Sequence, residues 1–166
     1  MPKYQTGEEY FNKIYLVFNA IIALSLVPFV LIFLDIQQYG TDEKIITGQS
    51  SDFLIIGLSI AYIFVFYVSL TSFKKGISGI KRSNPIRGKL NEYYSLSLKK
   101  YFQLTICCFL MVLGLFLTKH FLFTIGYVLA LVVLSFGRPL LKTIVDIIAL
   151  NDTEKDILNN KKSIDP

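Results

Sequence analysis

Tryptophan is absent from this chain of 166 residues, histidine occurs once, and cysteine and methionine occur twice each. A single histidine, His120, cannot build a bis-histidine haem site or a histidine-rich metal centre. Cys107 and Cys108 are adjacent, a spacing at which a disulfide strains the intervening peptide. Both fall inside an apolar run, where a thiol behaves as a small hydrophobe. The nucleophile elbow G-x-S-x-G, a Gly-rich phosphate loop and H-E-x-x-H are all missing. The neighbouring acids Asp42 and Glu43 lie in a polar loop, where carboxylates are ordinarily just solvated. These absences predict a chain without cofactor, metal or catalytic centre, and so a non-enzymatic one.

Charge is also scarce: 17% of residues are charged against 53% hydrophobic, and mean hydropathy is +0.53. The apolar residues are not scattered at the period of a soluble core but collect in long runs without any charge, the pattern of membrane spans. Such runs cover about 14–34, 53–73, 101–118 and 121–136. The predicted fold is therefore all-α, with four transmembrane helices in residues 1–137 followed by a cytoplasmic segment, 138–166. The first run lacks an A-x-A-like cleavage site and reads as a span, not a signal peptide.

Orientation follows from the loops. Residues 35–52 hold Asp35, Asp42, Glu43 and Asp52 against Lys44 alone. Residues 74–100 hold Lys74, Lys75, Lys81, Arg82, Arg87, Lys89, Lys99 and Lys100 against Glu92 alone. Basic loops stay in the cytoplasm, so an even number of spans puts both termini there. Topology accounts for the basic pI better than nucleic acid does. The same lysines and arginines could attract anionic headgroups at ~1 kcal/mol each. Asp52 is placed to cap the second span, Pro28 to kink the first unless Ser25 compensates, and Tyr93, Tyr94 and Tyr101 to form an interfacial belt, with the third helix starting as early as Tyr93. Only Lys119 and His120 separate the last two runs, which predicts a tight helical hairpin; re-entrant or partly inserted helices are the alternative for segments this close to the ~17-residue limit.

Beyond Gly137, a helix C-cap candidate, Leu141, Ile144, Val145 and Ile148 recur at helical spacing, with Lys142 and Asp146 off the stripe. This predicts an amphipathic helix over 139–150, lying on the inner membrane surface or docked on a cytoplasmic partner, the surface being preferred. Asn151 and Glu154 form a capping-box-like start for a further polar helix.

No ionisable residue lies inside a span, which argues against a proton-coupled carrier. Asn19, Ser25, Ser59, Gln103, Thr105, Thr124 and Ser135 read as interhelical hydrogen-bonding groups. Gly57, Ala61 and Ser69 share one face of the second span, and Gly126 and Ala130 one face of the fourth, letting backbones approach within the bundle or against a partner.

The stretch from Arg138 to Leu158, with Arg138–Pro139 just after a span, a short helix and a polar turn, resembles the C-terminal region of small uncharacterised multi-span inner-membrane proteins of Bacteroidetes. The richness in Ile, Lys, Asn, Phe and Tyr and the lack of Trp is similar to their composition. The resemblance implies a bacterial inner membrane and carries no activity with it. Together these readings predict a subunit or accessory factor of a larger inner-membrane complex, with the lipid bilayer, other membrane-protein subunits or copies of itself as partners. A homo-oligomeric channel or small-solute transporter using Asn19, Gln103 and Thr105 is the alternative.

Overall fold

The computed structural model describes residues 4–40, 45–80, 85–140, 144–145, 147–148, 150–159 and 164. Its regular elements are α-helices: α1 (Gly7–Tyr39), α2 (Gln49–Ser78), α3 (Ile86–Thr118), α4 (Phe121–Phe136) and α5 (Asp152–Asn159). Three of them, α1 to α3, are long and apolar enough to cross a membrane; α4 is apolar but has 16 residues. The chain is a helical membrane protein.

The helices outrun their apolar segments. At 1.5 Å per residue, the 33 residues of α1 and of α3 each extend about 50 Å, well beyond a hydrocarbon layer of about 30 Å. Thr6 caps α1 by accepting from Glu9 N at 3.3 Å, while Glu9 accepts from Gln5 N at 2.7 Å, so the polar lead-in is already helical from Gly7. Similarly, α3 starts at Ile86 behind Pro85 and not near Tyr93. Asp52 lies in the first turn of α2, whose cap is Gly48. Pro28 sits inside an uninterrupted α1, and the Ser25 hydroxyl donates to Ile22 O at 3.0 Å.

Side-chain register fixes the helix directions. Tyr10 meets Leu90 and Tyr94, and Phe18 meets Tyr101, so α1 and α3 run parallel. Tyr62, Ser69 and Gly76 of α2 lie against Cys107, Lys100 and Leu96, so α2 runs against α3. Tyr101 with Gly137, Met111 with Gly126 and Gly114 with Phe123 make α4 antiparallel to α3 as well. At one end, Lys119 Nζ lies 3.4 Å from Gly40 O and 3.9 Å from Asp35, and Ile46 N donates to Leu117 O. The tip between α3 and α4 therefore sits beside the connection from α1 to α2. Lys119 takes a left-handed conformation (φ 50°) to close α3, and His120 caps α4 through Nδ1, which accepts from Leu122 N at 3.2 Å.

Helix α3 is the inner one. Its apolar window is 56% buried, against 11% for α1 and 6% for α2. Leu104, Cys107, Cys108, Met111 and Leu115 form the main core with Phe18, Phe123, Tyr127, Ala130 and Leu134. Phe29 of α1 stacks on Tyr127 at 3.8 Å and 7°. A Cβ at Gly114 would run into the ring of Phe123, and one at Gly126 into the Met111 sulfur, so glycine sets the spacing of α3 and α4.

Gly114→Ala is expected to lose about 1–3 kcal/mol through overpacking against a ring with no room to move, read as a lower thermal midpoint in detergent. Gly57→Ala, which meets nothing within 4 Å, is expected to leave the midpoint unchanged or to raise it through helix propensity.

Candidate functional site

At the end where the polar parts of α1 and α3 project, a second core assembles from Tyr4, Tyr10, Ile14, Leu90, Tyr93, Ile144, Ile148, Leu150, Leu158 and Ile164. The amphipathic stripe is thus consumed within the chain: Ile144 and Ile148 are 0% and 3% exposed and pack on the extensions of α1 and α3, not on a free membrane surface. The reason is geometric, since two parallel helices that overshoot the bilayer present an apolar groove in water, and the nearest apolar face is the chain's own tail. Leu141, Lys142 and Asp146 lie outside the described residues.

This clasp is held by buried polar bonds. The Lys89 ammonium donates to both carboxylate oxygens of Glu154 at 2.9 Å, with the lysine side chain 1% exposed and the glutamate 14%. Glu154 Oε2 also accepts from Asn151 N at 2.8 Å, the reciprocal half of a capping box at the start of α5. One carboxylate therefore caps α5 and neutralises a buried cation, the condition under which a buried charge is tolerated. The Tyr4 hydroxyl donates to Asn91 Oδ1 at 2.9 Å beneath the Arg87 guanidinium, Tyr10 donates to Leu90 O at 3.1 Å, and Ile164 N donates to Gln5 O at 2.9 Å. Gly7 lets α1 touch the backbone of α5 at Leu158.

A smaller polar group lies within the bundle. Ser25 of α1 adjoins Cys108 of α3 and Tyr127 of α4, all three 0% exposed. Tyr62 of α2 donates to Gly126 O at 3.0 Å, and Cys107 Sγ lies 3.9 Å from Tyr62 O. Among the described residues the Tyr127, Ser59 and Ser97 hydroxyls and Gln103 Oε1 are buried without a partner at hydrogen-bond distance. Among the described residues no cluster of His, Cys, Asp or Glu has the makings of a metal site. Among the described residues the polar neighbours of the thiols are the Tyr62 carbonyl, Ser25 and Tyr127, so the group offers packing and hydrogen bonding.

The residues singled out by spacing separate in space. Gly126 and Ala130 are buried against α3, and Ser69 is buried with its hydroxyl 3.4 Å from Lys100 O. Ala61 is half-buried, and Gly57 is on the outer face of α2. Among the basic residues, Lys74, Lys75 and Lys99 are exposed, while Lys100 is half-buried with Nζ 4.4 Å from the centre of the Phe73 ring. Lys89 does not face headgroups: it is buried under Glu154, because α3 carries it into the clasp. Lys81 and Arg82 lie outside the described residues. Tyr93 and Tyr101 turn inward, 3% and 2% exposed, and do not form an outward belt; Tyr101 donates to Gly137 O at 2.9 Å, tying α3 to the end of α4. Thr105 bonds back to Tyr101 O within α3, and Asn19 opens on a cleft between α1 and α4.

No protein-family model, curated protein or solved structure matches this chain.

Glu154→Ala leaves the Lys89 ammonium buried and unpaired, with an expected loss of about 3–5 kcal/mol, read as faster proteolytic removal of the C-terminal segment. The paired apolar replacement Lys89→Met with Glu154→Leu is expected to restore protection. Burial pushes the Tyr4 hydroxyl up from 10.0 to about 12 against the opposing pull of Arg87. The neutral phenol is the form the clasp holds, so its contribution is complete below pH 10 and is lost as pH rises from 10 to 12. Tyr4→Phe is expected to remove that part of the alkaline opening, measured by hydrogen exchange at Leu90 and Asn91.

Proposed function

We propose that this chain is a non-enzymatic, membrane-embedded subunit or accessory factor that binds other membrane-protein helices in a bacterial inner membrane. The observation that carries the reading is the imbalance among the spans: α2 has only 6% of its apolar window buried and leans on the bundle through α3. Its outer face, with Ile56, Gly57, Ile60, Phe64 and Tyr67, is apolar and includes one small residue where a second backbone can come close. The clasp supports the same reading from the other side, since it spends the tail's apolar stripe internally and leaves the intramembrane faces as the surface for association.

The accompanying topology is four crossings with both termini in the cytoplasm. Support comes from the alternating helix directions, the position of the α3–α4 tip beside the α1–α2 connection, and the basic residues gathered at the opposite end with Tyr4 and Ile164.

Purification of the native protein in mild detergent followed by mass analysis is expected to return a stable hetero-complex, from which Gly57→Leu is displaced. A monomer without partners would count decisively against the proposal. His120→Cys, in a background lacking both native thiols, is expected to react with a membrane-impermeant maleimide added outside the membrane; labelling only from the cytoplasmic side would remove the fourth crossing.

A further inference from the structure

Between α1 and α4, at the level where their apolar runs end, lies a cleft of about 290 Å³ lined by Tyr15, Phe18, Asn19, Ile22, Ser135 and Arg138. Its polar groups are short of partners. Among the described residues the Arg138 guanidinium is held by Tyr15 alone, donating from Nη2 to the phenol oxygen at 2.5 Å and lying 5.1 Å above the ring. Among the described residues no carboxylate pairs with it, and the cleft lining contains no acid. The Asn19 amide and the Ser135 hydroxyl, both on the outward-facing side, make no side-chain hydrogen bond among the described residues. An amide or hydroxyl facing hydrocarbon without a partner is costly, and an arginine at a span's end seeks an anion.

The depth of the cleft says where that anion comes from. Asn19 and Ser135 belong to uncharged runs, and Arg138 is the first charge after α4. Across the bundle, Tyr101 joins Gly137, and Lys100 lies close to the same glycine. The level of Lys99, Lys100 and Arg138 is thus the boundary between hydrocarbon and headgroups. At that level Asn19, Ser135 and Arg138 are exposed, so the cleft faces lipid, and Ile22 lies one turn further into the apolar run of α1.

We propose that this cleft binds the phosphodiester of one anionic glycerophospholipid, with Arg138 as the charged fork, the Asn19 amide and Ser135 hydroxyl as donors, and Tyr15 as the residue that positions the guanidinium. Arginine suits the site because its planar fork matches two phosphate oxygens at once. A lipid without a headgroup cation fits best, since the described lining of the cleft has no carboxylate to receive an ammonium and the Tyr15 ring face is already covered by Arg138. Basic pockets between spans at the membrane boundary recognise anionic headgroups by this chemistry. The inference stands apart from the proposed partner-binding role, because it concerns α1 and α4 and not the outer face of α2.

The test uses the full chain in detergent, loaded with phosphatidylglycerol or phosphatidylcholine and measured by native mass spectrometry. The wild type is expected to retain one phosphatidylglycerol at least tenfold better than phosphatidylcholine. Arg138→Gln should abolish that preference, Arg138→Lys should keep only part of it, and Tyr15→Phe should weaken it. Lys155→Gln, on α5 and outside the cleft lining, should leave it intact. Should Arg138→Gln fold poorly, Asn19→Leu with Ser135→Ala alters only outward-facing groups and is expected to lower retention by itself. Equal retention of both lipids, equal losses with Lys155→Gln, or retention unchanged in the Asn19 and Ser135 double variant would overturn the proposal. Displacement of the lipid by millimolar inorganic phosphate would assign the cleft to a free anion instead.

Discussion

In lipid, helices gain nothing from hiding apolar surface, so what holds a small bundle together is close packing around one member that can be approached from several sides. Helix α3 is that member. It lies along α1, α2 and α4, and its buried residues alternate between compact ones, Ser97, Thr105, Cys107, Cys108 and Gly114, and space-filling ones, Leu104, Met111 and Leu115. Where a large ring must pass, as at Phe123, a glycine faces it. The two cysteines fit this role: they are small enough to admit Tyr62 on one side and Ser25 and Tyr127 on the other.

The same helix also governs the water-exposed end. Because α3 continues as a polar helix before its apolar run begins, it carries Lys89, Leu90, Asn91 and Tyr93 out of the membrane as one rigid rod beside the projecting start of α1. A rod of this kind has an apolar flank and no lipid to cover it. The tail covers it, and the Lys89–Glu154 pair sets the register of that docking, since a lysine so deeply enclosed tolerates no other neighbour without cost.

The apolar runs of α1, α2 and α3 were legible from composition alone, since hydrocarbon thickness sets a length and the absence of charge marks it. The capping role of Glu154 was legible as well, because Asn151 and Glu154 have the spacing of a capping box. What spacing could not convey was the fate of side chains that periodicity assigns to an outer surface. Lys89 belongs to a run of basic residues, and nothing in its neighbours marks it as the one to be buried. Tyr93 and Tyr101 have the composition of a headgroup belt, yet their direction depends on which flank of α3 meets α1 and α4. The stripe of Ile144 and Ile148 was visible, but its receiving groove is made by Tyr10, Leu90 and Tyr93, far away in the chain. Ser135 and Arg138, with Tyr15 and Asn19 across the cleft, were equally hidden, because the two pairs come from opposite parts of the sequence.

The closeness of Gln5 to Ile164 and of Gly7 to Leu158 bears on how the molecule is made. During synthesis, α1 enters the membrane first, α3 then meets Tyr4 and Tyr10, and the groove between the two helices stays uncovered until the tail leaves the ribosome. The tail thus closes over α1 and α3 only after the four apolar helices exist, and a ribosome-stalled chain that stops at Gly137 would display an apolar surface that residues 144–164 otherwise cover.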